Sequence, residues 1–295
     1  MHIKKMKSDY ILTYTFVAVL VIIAAVCVIP FVLVLSSSLT DETTLLKYGY
    51  QLWPQKFSLE AYKVMFHTNK VFDAYAVTIT ETVVGTALSV ICTSLMSYAL
   101  SVKTLRYRNQ IAFFVFFTML FNGGLVPYYL LLSKYLHMNN SIWVLILPFM
   151  VNAWNMFLMR NFFSEIPDSF AEAAKIDGAN DIYILFRIIL PVSLPAIATI
   201  GLFYALDYWN QWFNALLFIT NRRLYPLQYL MMDIMSSINQ IAENAAHGIS
   251  SGNYTPPAYS ARMATAMMAT GPILFVYPFV QKYFVKGLVV GGVKG

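Results

Sequence analysis

The chain has 295 residues, of which 59% are hydrophobic and 12% are charged, and its formal net charge is +6. A soluble domain carries about 25% charged residues, so this composition excludes an ordinary soluble protein and indicates a surface that lies largely in lipid. The basic residues lie in short segments between apolar runs, which is typical of charge that orients a membrane protein and does not indicate nucleic-acid binding. The cysteines, Cys27 and Cys92, both fall inside apolar runs, so they supply neither a disulfide framework nor the spacing of a metal site.

Six runs without a charged residue are long enough to cross a bilayer, because roughly 20 helical residues span a hydrocarbon core of about 30 Å. They predict an all-α, polytopic membrane protein with one transmembrane domain over residues 1–295. The predicted spans cover about 11–35, 72–100, 110–133, 141–160, 192–219 and 264–283. Lys and Arg are about twice as dense in 1–10, 101–110, 160–191 and 282–295 as in the other connections, which favours cytoplasmic N- and C-termini. Segments 36–71 and 221–262 are then outer loops.

The second and third predicted spans each carry one unusual feature. Glu81 lies in the second span among small and hydroxyl residues, a series that favours close helix packing. Its carboxyl either lines a passage or reaches water or a partner, and the sequence favours neither. The third span is predicted to be broken by Asn122-Gly123-Gly124 and Pro127, and irregular backbone at this depth must be covered by protein or face a water-filled cavity.

Polar and aromatic residues in the fourth and fifth spans predict a solute pathway. Asn152 and Asn155 share one face of span four. Ionisable side chains inside a span are expensive and are functional candidates by default, and amide groups interleaved with aromatic rings suit sugars. The alternative is that this stripe joins the chain to a partner helix. The candidates in span five are Tyr204, Asp207, Trp209, Asn210, Trp212 and Asn214.

The segment from Glu165 to Pro191 is a mostly polar connection on the predicted cytoplasmic side. Ser169 and Glu172 have the spacing of a capping box, and Gly178 stands where a helix stop is expected. Asp181 is predicted to cap a second helix. The predicted buried stripe of that helix consists of Ile182, Leu185, Phe186 and Ile189.

This segment also carries a family resemblance. Glu172-Ala173-Ala174, followed at fixed spacing by Gly178, Ile188 and Leu190-Pro191, matches the EAA loop of bacterial ABC importer membrane subunits at every spaced position. The run from Ile166 to Ala179 is similar to the carbohydrate branch, and in particular to the second permease subunit of the maltose importer. The runs 121–127 and 277–287 resemble the subgroup that handles complex oligosaccharides.

The resemblance implies a type I ABC importer fold in a bacterial cytoplasmic membrane and a chain without a nucleotide site of its own. A homologous second permease, two ATPase subunits that bind ATP and Mg²⁺, and an external substrate-binding protein are the implied partners. No cofactor and no metal are expected on this chain. The residues implied in ATPase coupling are Glu172, Ala173, Ala174, Asp177, Gly178, Ala179, Leu190 and Pro191.

Other functions remain open at this stage. The chain could serve an ABC importer for another class of solute, or act as a self-contained secondary transporter, which would need a relay of buried acids for which only Glu81 and Asp207 are candidates. A membrane-embedded enzyme finds no support in the motifs. The spans contain no Lys or Arg well inside, which argues mildly for a neutral oligosaccharide and leaves uronate-containing ones open.

Overall fold

A computed structural model describes residues 7–66, 70–246 and 258–291, and these ranges form helices joined by short connections, without a named strand. The helical character predicted from the apolar runs is therefore confirmed. Two short segments are π-helices, Leu131–Tyr135 and Leu185–Ile189, and two are 3-10 helices, Leu147–Phe149 and Arg222–Leu224. The α-helices are α1 Lys7–Ser38, α2 Glu42–Tyr48, α3 Glu60–Phe66, α4 Lys70–Ser101, α5 Arg108–Leu120, α6 Leu125–Leu130, α7 Trp143–Ile146, α8 Ala153–Ser164, α9 Ser169–Ile176, α10 Asp181–Ile184, α11 Leu190–Val192, α12 Leu194–Trp209, α13 Phe213–Phe218, α14 Leu227–Ala246 and α15 Ala258–Gly291.

The chain divides into two compact units, the first of which comprises residues 1–68 and 233–271. Its loop after α1 is closed by a bridge between Thr40 and Phe57, and by the amide of Asp41 donating to the carbonyl of Lys56 (3.0 Å). Glu42 accepts hydrogen bonds from the backbone amide of Ser260 and from its hydroxyl, at 2.9 and 2.7 Å. The Glu42 carboxylate thus caps the start of α15, whose first amides have no partner inside the helix.

The second unit, residues 69–232 and 272–295, is built around α4. This helix packs against α12 and α8. Gly85 permits a close approach of α4 and α12, since a Cβ placed there would lie 2.6 Å from the Tyr208 ring. The small residues of span two therefore serve helix packing, as their spacing predicted.

Hydroxyl groups on α4 bond the neighbouring helices to it. Ser89 Oγ lies 2.9 Å from the Tyr208 hydroxyl, and Thr93 Oγ1 lies 2.7 Å from the Tyr204 hydroxyl. Ser97 Oγ donates to the carbonyl of Met156 on α8 at 2.8 Å. Because water is scarce at this depth, these buried hydroxyls need protein partners, and they fix the register of the three helices.

At each end of this unit, hydrogen bonds join segments that the distribution of basic residues predicts to lie on the same side of the membrane. At one end, Asn140 bonds Thr220, and the amide of Leu227 donates to Thr78 Oγ1 at 2.7 Å. At the other end, the carbonyl of Leu100 accepts from the Nε atoms of both Arg108 and Arg160. The predicted outer connections thus meet through Asn140 and Asn221, and the predicted inner segments 101–110 and 160–191 both contact the carbonyl of Leu100.

Several predicted spans are bent rather than straight. Among the described residues, α1 from Leu12 and α4 are each long and apolar enough to cross a membrane, and three bent pairs raise the number of candidates to five. The break in span three is confirmed. Gly124 has φ +86°, the arms Arg108–Leu120 and Leu125–Tyr135 meet at 110°, and Pro127 lies in the first turn of the second arm rather than at the break.

Spans four and five differ from the continuous helices that were predicted. Span four bends by 50° between Trp143–Phe149 and Ala153–Ser164. Span five was expected to run through 192–219, whereas α12 ends at Trp209 and α13 begins at Phe213. The α12 helix also leaves the preceding helical segment at 88°, next to two prolines that cannot continue an uninterrupted helix.

Candidate functional site

The EAA segment forms a short helix, α9, with a well-defined end. The amide of Gly178 donates to the carbonyl of Lys175 (3.0 Å), and the amide of Ala179 donates to the carbonyl of Ala174 (2.9 Å). This pair of bonds is the Schellman motif, and it requires the left-handed conformation that Gly178 adopts at φ +83°. The predicted helix stop at Gly178 is confirmed. Glycine is favoured here by its positive φ and not by lack of space, because a Cβ at this position would meet nothing within 4 Å.

The start of α9 differs from the predicted capping box. Asp168, rather than Ser169, occupies the cap position, and no side chain bonds the first amides of the helix. The carboxylate of Asp168 instead accepts from Lys103 Nζ at 2.6 Å. The prediction was wrong because Asp168 already has a helical backbone conformation, which moves Ser169 into the first turn and takes its side chain out of reach.

The second helix of this segment also differs from prediction in two respects. Asn180, not Asp181, caps it, and the Asn180 side chain accepts from the amide of Tyr183 at 2.8 Å. Asp181 lies one position later and pairs with Lys175 at 3.2 Å. Asn180 takes the cap because its extended backbone aims its side-chain oxygen at the free amides of the first turn.

The buried stripe of this second helix was predicted correctly at Leu185 and Ile189 and wrongly at Ile182 and Phe186. The side chains that face the interior are Ile184, Leu185 and Ile189, whereas Ile182 and Phe186 are exposed. Leu185–Ile189 forms a π-helix, which adds a residue to the turn and rotates the following side chains relative to the α-helical period on which the prediction depended.

Burial divides the EAA residues into an anchored set and a presented set. Ala174 is buried, and Ala179 and Leu190 are half-buried against the same hydrophobic cluster. The side chains of Glu172 and Ala173 point to the exposed side together with Asp177, Gly178 and Pro191. One face of α9 therefore fixes the helix to the chain, and the opposite face is free to contact another molecule.

The free side of this segment is unusually apolar for an exposed connection. Ile176 is 86% exposed and Ile182 is 67% exposed, and Phe170 and Tyr183 are also on the surface. Contiguous exposed apolar groups rimmed by charges mark interaction sites. The ion pairs Lys103–Asp168 and Lys175–Asp181 are themselves largely exposed and contribute at most about 1 kcal/mol each, so burial of the opposite face is the main attachment of α9.

A continuous buried cluster connects α9 with the middle of the second unit. It includes Ala174 on the buried face of α9, Tyr98 near the end of α4, and Tyr204 and Tyr208 on α12. The cluster therefore gives α9 a close-packed connection to α12 and α4. The sequence did not predict this cluster. Tyr208 could have been included, because it follows Asp207 directly and lies one helical turn after Tyr204, and both of these were pathway candidates.

Five of the predicted pathway residues are buried within the chain. Tyr204 accepts from the amide of Asn152 (3.0 Å), and Asn214 donates to the carbonyl of Val144 (3.0 Å). In this conformation these side chains connect helices of one chain. The buried members are Glu81, Asn155, Tyr204, Trp209 and Asn214.

Glu81 stands apart from the other buried candidates. It is fully buried on α4, and within the described part of the chain neither carboxyl oxygen has a hydrogen-bond partner. The alternative that Glu81 reaches water therefore does not hold in this conformation. A buried unpaired carboxyl is costly, so this position carries a constraint that packing alone does not supply.

The remaining pathway candidates are accessible at the surface of the isolated chain. Asp207 and Asn210 are exposed near the C-terminal end of α12, and Trp212 follows in the break before α13. Asn152 is exposed at the bend of span four, where its side chain accepts from the amide of Asn155 at 3.2 Å. These four residues supply a carboxylate, two amides and an indole ring on surfaces that the chain itself leaves uncovered.

Comparisons with known proteins agree with this geometry. Residues 64–290 match the family described as binding-protein-dependent transport system inner membrane component. The chain is 42% identical over 276 residues to the polygalacturonan/rhamnogalacturonan transport system permease protein YtcP of Bacillus subtilis (strain 168), with 94% of this chain and 96% of the relative covered. It is 39% identical over 273 residues to protein LplC of the same organism, covering 92% and 91%.

A solved structure is similar throughout its length. A chain in the crystal structure of a bacterial ABC transporter involved in the import of the acidic polysaccharide alginate superposes with a TM-score of 0.80 at 32% identity, covering 96% of this chain and 99% of that one. These matches confirm the resemblance drawn from the EAA spacing and the type of fold it implied. The chain therefore belongs to the family of binding-protein-dependent transport system inner membrane components.

Proposed function

We propose that this chain is one of two permease subunits of an ABC importer that passes uronate-containing oligosaccharides, such as pectin fragments, across a bacterial cytoplasmic membrane. The substrate class is supported by the 42% identity to a polygalacturonan/rhamnogalacturonan permease and by the 32% identity to a chain of an alginate importer. Both of those proteins are named for acidic polysaccharides. The lack of Lys and Arg well inside the spans argued mildly for a neutral sugar, but other subunits or the loops can supply the positive charge that binds a carboxylate.

The proposed topology has six spans with cytoplasmic N- and C-termini. The density of Lys and Arg in 101–110 and 160–191 supports this orientation. The contacts of Lys103 with Asp168 at one end of the second unit, and of Asn140 with Asn221 at the other, support a division of the connections between two sides. These contacts group 101–110 with 160–191 and 134–141 with 221–262, and the bias of basic residues assigns the first group to the inside. The α9 segment is then cytoplasmic, on the side where ATP is hydrolysed.

The observation that carries the mechanism is the buried cluster that joins Ala174 to Tyr204 and Tyr208. In the proposed mechanism, an ATPase subunit holds the exposed side of α9, with Glu172 and Ile176 in contact. Closure of the ATPase dimer moves α9, and the cluster passes the displacement to α12 and α4. The spans then switch between inward-open and outward-open arrangements, because packed interfaces shift between discrete states.

The chain is proposed to supply only half of the pathway. The exposed groups Asp207, Asn210, Trp212 and Asn152 would face a homologous second permease and the solute between the two subunits. ATP and Mg²⁺ belong to two ATPase subunits, and an external binding protein delivers the oligosaccharide. This chain contributes positioning and motion, and no chemical step.

Uptake by the complete importer in proteoliposomes tests this function. We expect labelled galacturonate oligomers to accumulate only when ATP and the cognate binding protein are both present. Glu172→Lys is expected to abolish accumulation because it reverses the charge on the presented side of α9. Glu165→Lys is the matched control, since Glu165 is an exposed acid just before α9 and outside it. Equal loss in both variants, or accumulation without ATP, would contradict the proposal.

A further inference from the structure

The outer end of the second unit presents two adjacent arginines, Arg222 and Arg223, that have no acidic partner. Both side chains are exposed. Among the side chains that the structure describes, no carboxylate lies within 4.0 Å of either guanidinium. The two arginines are adjacent in sequence and exposed, and like charges repel, so an anionic partner outside the chain would be bound favourably here.

The backbone beneath these arginines is fixed. Asn140 Oδ1 accepts from the amide and the hydroxyl of Thr220, at 2.7 and 3.0 Å, and from the amide of Asn221 at 2.9 Å. The Asn221 side chain in turn accepts from the amide of Arg223 at 3.1 Å. Asn140 itself is held in the left-handed region at φ +53°. Residues other than glycine seldom adopt a positive φ, so the surrounding contacts determine the backbone conformation of Asn140.

The position of this loop relates it to the pathway. Arg222–Leu224 packs against α4, and three residues later Leu227 is bonded to Thr78 on the same helix. The loop also directly follows span five, which carries Asp207 and Asn210. In the proposed topology the two arginines therefore lie at the outer mouth of this subunit, where a solute arrives.

Neighbouring charges strengthen the positive field at this end. Lys70 begins α4 and Lys134 lies in the π-helix before Asn140, and both are exposed. The acids on these segments are Asp73, in the first turn of α4, and Glu81, which is buried further along the same helix. Together with the two arginines this gives a local excess of positive charge, which raises the local concentration of anionic solutes.

We infer that Arg222 and Arg223 form an outer subsite that receives the carboxylates of a uronate oligosaccharide before it passes along the spans. The planar guanidinium suits a carboxylate because it donates two parallel hydrogen bonds to it. Successive uronate residues carry one carboxylate each, so two neighbouring arginines match a short acidic oligomer and give no advantage to an uncharged one. This inference rests on the proposed function and assigns acid selectivity to a defined loop.

The test compares the double variant Arg222→Gln/Arg223→Gln with the wild-type importer in proteoliposomes. The substrates are a galacturonate oligomer of fixed length and the same oligomer with about half of its carboxyls methyl-esterified. We expect uptake of the acidic oligomer at low concentration to fall about tenfold, which corresponds to about 1.4 kcal/mol, and uptake of the esterified one to fall less. The control variant Lys47→Gln/Lys63→Gln removes two charges from another outer segment and is expected to leave both rates unchanged.

Each outcome has a distinct meaning. Equal loss for the two oligomers would overturn the subsite, because it would indicate a contact with the binding protein or a folding defect. Unchanged uptake of both oligomers would overturn it as well. Failure of the wild-type importer to accumulate any uronate oligomer, with ATPase stimulation by the binding protein intact, would instead refute the proposed substrate and this subsite with it.

Discussion

The packing of Tyr208 over Gly85 gives the sharpest test of the structure of the second unit. A Cβ at position 85 would lie 2.6 Å from Cζ of Tyr208 and 2.7 Å from both Cε atoms. The ring cannot withdraw easily, because its hydroxyl donates to the carbonyl of Ile146 (3.0 Å) and bonds Ser89 (2.9 Å). Overpacking of this kind destabilises a core by about 1–3 kcal/mol, so Gly85→Ala is expected to lower the free energy of unfolding by that amount.

The matched control is Gly201→Ala on α12. Its Cβ would meet only Cγ2 of Val90, at 3.7 Å, which is an ordinary contact. The same substitution in an unobstructed helix removes backbone freedom from the unfolded state and is expected to stabilise the protein by about 0.5–1 kcal/mol. The two variants thus add the same methyl group and are expected to change the free energy of unfolding in opposite directions.

The assay is the unfolding temperature of the purified importer in detergent, together with uptake in proteoliposomes. We expect Gly85→Ala to lower the unfolding temperature and the uptake rate, while Gly201→Ala preserves both. If Gly85→Ala were as stable as Gly201→Ala, the close approach of α4 and α12 would be refuted, and with it the route by which α9 is argued to move the spans.

Three further predictions concern single positions. Gly178→Val is expected to uncouple ATP hydrolysis from uptake, because a left-handed β-branched residue costs about 1–2 kcal/mol and disturbs the end of α9; normal uptake per ATP would contradict this. Asn140→Ala removes the acceptor of the exposed amides of Thr220 and Asn221, so we expect weaker uptake of acidic oligomers and an unfolding free energy lower by about 0.5–1.5 kcal/mol. Hydrogen bonds from Thr43 and Lys56, with the charge of Lys56, hold the pKa of Asp41 below its ordinary value. Asp41 therefore stabilises the loop fully above about pH 4, and this contribution is lost as pH falls further; Asp41→Asn should remove that acid sensitivity, measured by proteolysis of the loop, and leave stability at pH 7 lower.

The sequence predicted the positions of the helices along the chain better than the angles between them. The apolar runs that predicted spans one and two correspond to α1 and α4, because a long uncharged run has no alternative to a helix in lipid. The bends at 110° and 88° were not predicted in size. Gly and Pro show where a helix can break, but they do not specify the angle between the two arms.

Local signals around α9 succeeded where backbone conformation decides and failed where competing side chains decide. Gly178 was correctly predicted, since few residues tolerate its positive φ. Asp168 and Asn180 replaced the predicted caps because each lies one position from a residue of similar capping strength. The π-helix at Leu185–Ile189 was not predictable from a pattern that presumes a constant period.

The pathway stripe shows a limit of periodicity within a broken span. The spacing predicts one stripe for Tyr204, Asp207, Asn210 and Asn214. The break after Trp209 separates Asn214 from the other three. Tyr204 and Asn214 are buried, while Asp207 and Asn210 are exposed. Sequence reasoning identified polar residues in the spans correctly, and only the contacts distinguish those that join helices from those left for a solute or a partner.

The central claim is that the exposed side of α9 lies in the cytoplasm and is held by an ATPase subunit. The direct measurement introduces Ala173→Cys into a chain whose Cys27 and Cys92 are replaced by serine, and follows cross-linking to the ATPase subunit in native membranes. The account predicts a cross-link whose yield changes with ATP, and labelling by an impermeant thiol reagent in inverted vesicles alone. Labelling from the outside of intact cells, or no cross-link to any ATPase subunit in the assembled importer, would contradict it.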